Sequence, residues 1–269
     1  MQNKLSYALK ACVAGVLGCG ILATSAFGAE KDGAYMGVEL GANRVKFKQT
    51  LDYAMGGNTI ASGDIKADNL MPSVAIKGGY KMFFGAERKF GVRAYGAVGV
   101  GYGRLINVKY DSSLQPIVGM AYPTNPNATN SVFTGTGKTY YTTFIDYYVG
   151  ADLLYNFTPK NDVIWGVFAG VGVGGVTWAA NGKEYEVSNG DRSYFNFAAN
   201  ANLGLRATIK EKHGVELGAR IYFPKSEIFD ASNGTSPLVP EAMRQGVSID
   251  TTTTHYRPFS VVLSYIYNF

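Results

Sequence analysis

Cysteine is almost absent from this chain. Its two cysteines, Cys12 and Cys19, both fall within the first 28 residues. If that stretch is a removable leader, the remainder has no thiol, which excludes disulfides, thiol catalysis and cysteine metal sites together. A cysteine-free chain also crosses an oxidising compartment without mispairing. Histidine is equally scarce: His213 and His255 are far apart in sequence and offer no metal-site spacing. Charged residues make up 17% of the chain, few for a soluble domain. The formal charge of +5 falls to +3 without Lys4 and Lys10, too small and too dispersed an excess for nucleic acid, which needs a clustered basic face. Beyond the leader no apolar run approaches the roughly 20 residues of a membrane helix.

The leader has three parts. Lys4 and Lys10 give a positive start, Ala11 to Ala23 is apolar, and Ala26, Phe27 and Gly28 offer small residues for a peptidase. Cleavage is expected after Gly28, leaving residues 29–269 as one domain. A lipoprotein site at Leu17, Gly18 and Cys19 competes, but the apolar run continues past Cys19 and the better small-residue site lies downstream.

What the chain has is period-two alternation, repeated eight times. Met36, Val38, Leu40 and Ala42 face one way in the first segment, with Glu39 and Asn43 on the other side. The second sets Val74, Ile76 and Tyr80 against Lys77 and Lys81, and the third sets Val92, Ala94, Val98, Val100 and Tyr102 against Arg93 and Tyr95. In the fourth, Ile145, Tyr147, Val149, Ala151, Leu153 and Tyr155 oppose Asp146, Tyr148, Asp152 and Asn156. The fifth opposes Trp165, Val167, Ala169, Val171 and Val173 to Phe168 and four glycines, Gly166, Gly170, Gly172 and Gly174. Phe195, Phe197, Leu203 and Leu205 oppose Asn200, Asn202 and Arg206 in the sixth, while Val215, Leu217, Ala219 and Ile221 oppose Glu216 and Arg220 in the seventh. The eighth runs from Phe259 to Phe269, with Ser260 and Ser264 on its polar side.

No charge falls on an apolar side. Arg or Lys facing lipid at mid-depth costs roughly 2–4 kcal/mol, so a charge-free face fits lipid better than the exposed face of a soluble sandwich. A sheet in lipid cannot leave an edge open. The expected fold is therefore all-β: an eight-stranded antiparallel transmembrane barrel of a bacterial outer membrane.

Connection lengths alternate as well. Short turns at Phe84 to Lys89, Thr158 to Asp162 and Lys210 to Gly214 are expected in the periplasm. Long polar connections at Arg44 to Asn69, Leu105 to Tyr141, Ala179 to Ser193 and Pro224 to Thr254 are expected as extracellular loops. Thr251 to Thr254 would carry the last strand beyond the membrane, and Asp111 to Lys138, rich in Ser, Thr, Asn, Gly and Pro, suits an antigenic surface. Tyr35, Phe83, Phe157, Trp165, Tyr267 and Phe269 are expected in the periplasmic aromatic girdle, and Tyr102, Phe195, Phe223 and Phe259 in the outer one. The C-terminal series Val261, Leu263, Tyr265, Tyr267 and Phe269, in phase with its strand, looks like the signal read by the barrel-assembly machinery.

The C-terminal half carries a resemblance. Gly166 to Gly170, Thr177-Trp178, Phe195 to Phe197, Asn202 to Arg206, Gly214 to Ile221, Tyr256-Arg257 and Ser264 to Phe269 occur in that order. Over roughly residues 160 to 269 they resemble the C-terminal barrel region of the Helicobacter-type outer-membrane proteins, a family with adhesins and porin-like members. The large extracellular domain that carries receptor binding in adhesive members has no counterpart in this chain, and the resemblance brings no catalytic residue with it.

The polar sides define the candidate site. Glu39, Asp146, Asp152 and Glu216 would face Lys77, Lys81, Arg93, Arg206 and Arg220 in a lumen that eight strands leave filled by side chains. Paired, these charges would close the lumen; left hydrated, they would line a narrow pore for ions or small solutes. Gly170, Gly172 and Gly175 match a dinucleotide fingerprint, but they keep a strand's period and no helix follows. A lipid-modifying barrel enzyme would need a rim histidine with serine and carboxylate; His255 is expected at the rim, with Asp250 and Ser260 nearby in sequence. No motif joins them, and both histidines are expected to be solvated.

The expected role is a small surface protein without cofactor or metal, acting structurally or through its loops. Its expected partners are outer-membrane lipid and lipopolysaccharide, the assembly machinery and a host or cell-surface ligand, with no nucleic acid.

Overall fold

A computed structural model describes residues 30–104, 106–111, 113, 141–157, 162–181, 190–192, 195–234 and 246–269. The leader, most of the turn at 158–162 and much of the connections at 105–140, 182–194 and 235–245 lie outside the described residues. The strands are β1 (Gly33–Met55), β2 (Asn58–Phe84), β3 (Phe90–Arg104), β4 (Ile106–Tyr110), β5 (Tyr141–Asn156), β6 (Val163–Asn181), β7 (Gly190–Arg192), β8 (Phe195–Ile209), β9 (His213–Phe223), β10 (Ser226–Gly234) and β11 (Val247–Asn268). Among the described residues, eight of them form an antiparallel ring in the order β1, β2, β3, β5, β6, β8, β9, β11, and β1 pairs with β11 to close it. No sheet edge is left within the ring.

Each expected segment lies on one ring strand, in the expected phase. Leu40, Ile76, Val149, Val171, Leu203, Leu217 and Leu263 are exposed on the outer wall. Glu39, Lys77, Arg93, Asp152, Arg206, Glu216 and Arg220 are buried in the lumen. Lipid outside and a narrow polar interior dictate this sidedness.

The strands do not stop where the lipid does. The stretch from Arg44 to Asn69, expected as a loop, is the continuation of β1 and β2 into a hairpin closed by Gly56 and Gly57, both at positive φ. That backbone matches the two-residue turns whose twist suits a hairpin. The last connection is likewise partly strand, because β10 pairs with the upper part of β11, which includes Thr251 to Thr254. Two smaller strands add to this upper sheet, β4 beside β2 and β7 beside β10.

Above the lipid the polarity of the wall is reversed. Val45, Phe47, Leu51 and Tyr53 of β1 point inward and are buried, while Arg44, Lys46, Lys48 and Asp52 lie on the outer face. Water now bathes the outside, so apolar side chains gain by turning in. With Ile65, Met71, Phe144, Val176, Trp178, Phe229 and Ile249 they form the largest apolar core among the described residues. The period stays at two throughout, and only the face that carries the apolar residues changes.

Candidate functional site

The nine charges expected in the lumen all lie there, stacked in tiers. Deepest toward the periplasm, Glu30 accepts hydrogen bonds from Lys81 Nζ (2.5 Å), Arg206 Nη1 (2.8 Å), Asn156 Nδ2 (3.0 Å) and Thr208 Oγ1 (3.3 Å). Above it, Arg93 donates from Nε (2.9 Å) and Nη2 (2.6 Å) to Asp152 and from Nη1 (2.5 Å) to Glu216. In the next tier Glu39 lies 3.2 Å from Lys77 Nζ and 3.3 Å from Arg220 Nη2, and the hydroxyls of Tyr148 and Ser264 donate to it. The uppermost pair is Arg257 Nη2 to Asp146 at 2.6 Å. The Arg257 guanidinium also stacks between Phe144 and Tyr222, 4.2 and 3.8 Å from their ring centroids.

Glycines make room for this packing. A Cβ on Gly99 would fall 2.5 Å from the Asp146 carboxylate, and the Phe144 ring occupies the space over Gly101. Beside Tyr35, Arg206 and Glu216 the packing leaves a void of about 10 Å³, near the volume of one water. Tyr35 OH, Glu216 Oε2 and Arg206 Nε lack hydrogen-bond partners there.

Two members of the network were not foreseen. Glu30 precedes the first strand and enters the lumen from a short segment latched at both sides. Lys31 pairs with Glu211 at 2.7 Å, while Asp32 pairs with Arg88 and accepts from the Phe83 amide at 2.7 Å. No periodicity marks such a segment. Arg257 shares the odd numbering of the lipid-facing Phe259, but the β1–β11 register slips between Arg44 and Lys46. This bulge turns Arg257 inward. The available signal was an arginine followed by Pro258 just ahead of the alternating segment that starts at Phe259.

Other expectations are corrected. Tyr35 and Phe83 leave the periplasmic girdle and point into the lumen, where Tyr35 lies 5.5 Å from the Arg93 guanidinium and Phe83 lies 5.8 Å from that of Arg206. Charged neighbours on the same inner wall hold these rings by cation–π attraction. Phe157, Trp165 and Phe269 are outward and exposed.

His255 is not a solvated rim residue. It lies above the lipid-facing belt, fully buried, with no hydrogen-bond partner at either ring nitrogen. Trp178 and Phe47 pack edge-on against it at 4.9 and 5.3 Å. Burial alone pushes its pKa down to about 3. Ser260 points into the lumen below it, and Asp250 is exposed on the opposite face of β11. The three residues weighed for catalysis are not brought together. His213 is exposed at the start of β9, but its Nδ1 lies 2.8 Å from the Tyr265 hydroxyl. Among the described residues no group of histidine and carboxylate side chains could hold a metal.

A closed ring with an apolar outer belt and a charged interior agrees with the family comparison. The model of the Helicobacter outer membrane protein family matches residues 75–269. The chain belongs to that family. The match starts in β2, well before the C-terminal stretch that carries the resemblance in sequence, and it places the barrel in the outer membrane. No curated protein matches in sequence.

Among solved structures the barrel is similar to OprG from Pseudomonas aeruginosa, at 11% identity and a TM-score of 0.48, covering 91% of this chain and 99% of that one. It is also similar to AlkL in lipid bilayers, at 17% identity and 0.41, covering 94% and 98%. A third is Ail of Yersinia pestis in complex with a heparin analogue, at 10% identity and 0.30, covering 87% and 99%. The fold rests on the strand register described above rather than on these likenesses.

Proposed function

We propose that this family member is a non-conducting surface barrel, which acts structurally or through contacts made by its extracellular strands and loops. The observation that carries this reading is the stack of ion-paired tiers beneath the upper apolar core. An ion crossing the barrel would have to part Arg257 from Asp146, Glu39 from Lys77 and Arg220, and Arg93 from Asp152 and Glu216. Breaking one such buried pair by removing a partner costs about 3–5 kcal/mol. The lipid and lipopolysaccharide of the outer leaflet are then its lateral partners, and a host or cell-surface ligand would meet the extracellular end. The aromatic series ending at Phe269 would serve the assembly machinery during insertion. No enzymatic role enters this reading.

Single-channel recording in planar bilayers tests it, with Arg93→Ala and Arg220→Ala beside the wild type. The expected result is a silent wild type and conducting variants, because each deletion leaves both a gap and an unbalanced carboxylate in the lumen. Steady wild-type openings would overturn the closed lumen. The second reading, a narrow channel, is favoured by the atoms without hydrogen bonds around the water-sized void, which could begin a hydrated path.

A further inference from the structure

The outer face just above the lipid belt carries a pair of cations without counter-ions among the described residues. Lys46 of β1 stands opposite Tyr256 of β11 in the register, and Lys225 follows β9 on the other flank of the same tyrosine. Their ammonium groups lie 5.7 and 5.1 Å from the Tyr256 ring centroid. The neighbouring cations are neutralised: Arg44 pairs with Asp68 at 3.0 Å, and Lys48 and Lys66 share Asp64 at 3.2 and 3.0 Å. Burial works to raise the Asp64 carboxyl, but hydrogen bonds from Lys66, Thr50 and Lys48 hold it below its ordinary range. Among the described residues, no carboxylate comes within ion-pair distance of Lys46 or Lys225.

Their height on the barrel gives the pair its meaning. Arg44 sits in the register between Leu70 and Phe259, both apolar and exposed at the top of the belt, and Lys46 is the next outward residue. Lys225 stands two residues beyond the exposed Phe223. Two residues of tilted strand rise about 5 Å, from the hydrocarbon into the headgroup layer. Two unpaired ammonium groups flanking an aromatic ring at that level suit an oxyanion better than any neutral group. An anion on the lipid side would restore the charge balance that the protein's own carboxylates leave incomplete.

We propose that Lys46, Lys225 and Tyr256 form a docking point for an oxyanionic headgroup, the phosphate or carboxylate of the outer leaflet's glycolipid. The site rests on the outer-membrane orientation of the barrel and is independent of whether the lumen conducts. It would fix one glycolipid at the seam where β1 closes onto β11.

The test uses the full barrel refolded into nanodiscs of neutral lipid and titrated with rough lipopolysaccharide, with binding read by native mass spectrometry. Lys46→Gln with Lys225→Gln is compared with Lys48→Gln and Lys66→Gln, which remove cations already paired to Asp64. Heat-modifiable migration on gels confirms that each variant is folded. The first pair should weaken binding roughly 10- to 30-fold and the second by less than about threefold. Equal losses in both pairs would reduce the effect to general charge attraction and overturn the site, as would unchanged binding in the first pair. Glycolipid stripped of phosphate and acidic sugar should bind as weakly as the first pair does. Inorganic phosphate displacing the lipid at comparable concentration would overturn the lipid as its occupant.

Discussion

Acidification should loosen the upper half of the barrel through His255. The imidazole is fully buried between Trp178 and Phe47 without a hydrogen bond, and its pKa is pushed down to about 3. One inward position below it on β11, the cation of Arg257 is already engaged by the carboxylate of Asp146. A proton on His255 would therefore meet the full cost of desolvation with no carboxylate acting to offset it. In the unfolded chain the group titrates near 6.5. Because the folded pKa is the lower one, its stabilising contribution is complete above the unfolded value and falls away through the window from pH 6.5 to 3. Between pH 7 and 5 the loss is about 2 kcal/mol, since each pKa unit is worth about 1.4 kcal/mol. Urea unfolding in a neutral detergent, followed by tryptophan fluorescence, measures it, and Trp178 reports from beside the ring. His255→Phe keeps the packing and removes the proton site, so His213 and the carboxylates cancel in the comparison. Wild type should lose about 2 kcal/mol more than the variant over that interval. Equal losses would refute the buried neutral imidazole.

Other perturbations test other parts. Leu203→Arg puts a charge on the most lipid-exposed part of β8 and should cost about 2–4 kcal/mol in bilayer-refolding measurements, whereas Thr252→Lys on the watered outer face should cost little. Glu30→Gln leaves Lys81 and Arg206 facing each other without their shared carboxylate and should destabilise by about 3–5 kcal/mol, read as a lowered temperature of heat modification. Its combination with Lys81→Met should recover part of that loss. Phe269→Ser should lower the yield of assembled barrel in cells while the purified protein still refolds in detergent; equal yields would remove the terminal aromatic from assembly.

The eight ring strands were legible in the sequence because lipid imposes a rule with few exceptions. Every outward residue from Met36 to Leu40, or from Leu203 to Ala207, must be apolar, and that leaves a trace at period two. The nine lumen charges followed from the same alternation. The hairpin from Arg44 to Asn69 was missed because its outer face is polar, as a loop's is, and its apolar residues Val45, Phe47, Leu51 and Tyr53 turn inward. Nothing in the period changes there; the solvent does. Arg257 was missed because a bulge shifts the phase of β11, and Glu30 because it lies outside any strand. His255 illustrates a different limit. A histidine at a rim is usually hydrated, and only the three-dimensional meeting of Phe47 with Trp178 shows that this one is not.

The uninterrupted run of β1 and β2 from the periplasmic end to the Gly56–Gly57 turn also has a mechanical consequence. A ligand attached near that tip would pull along the strands, with no flexible joint between the point of attachment and the membrane. The rungs joining β1 to β11 and β2 to β3 would then carry the load together in shear instead of opening one after another. Tension at the surface would reach the closed ring and the bilayer as a whole, as through a mast stepped into a hull.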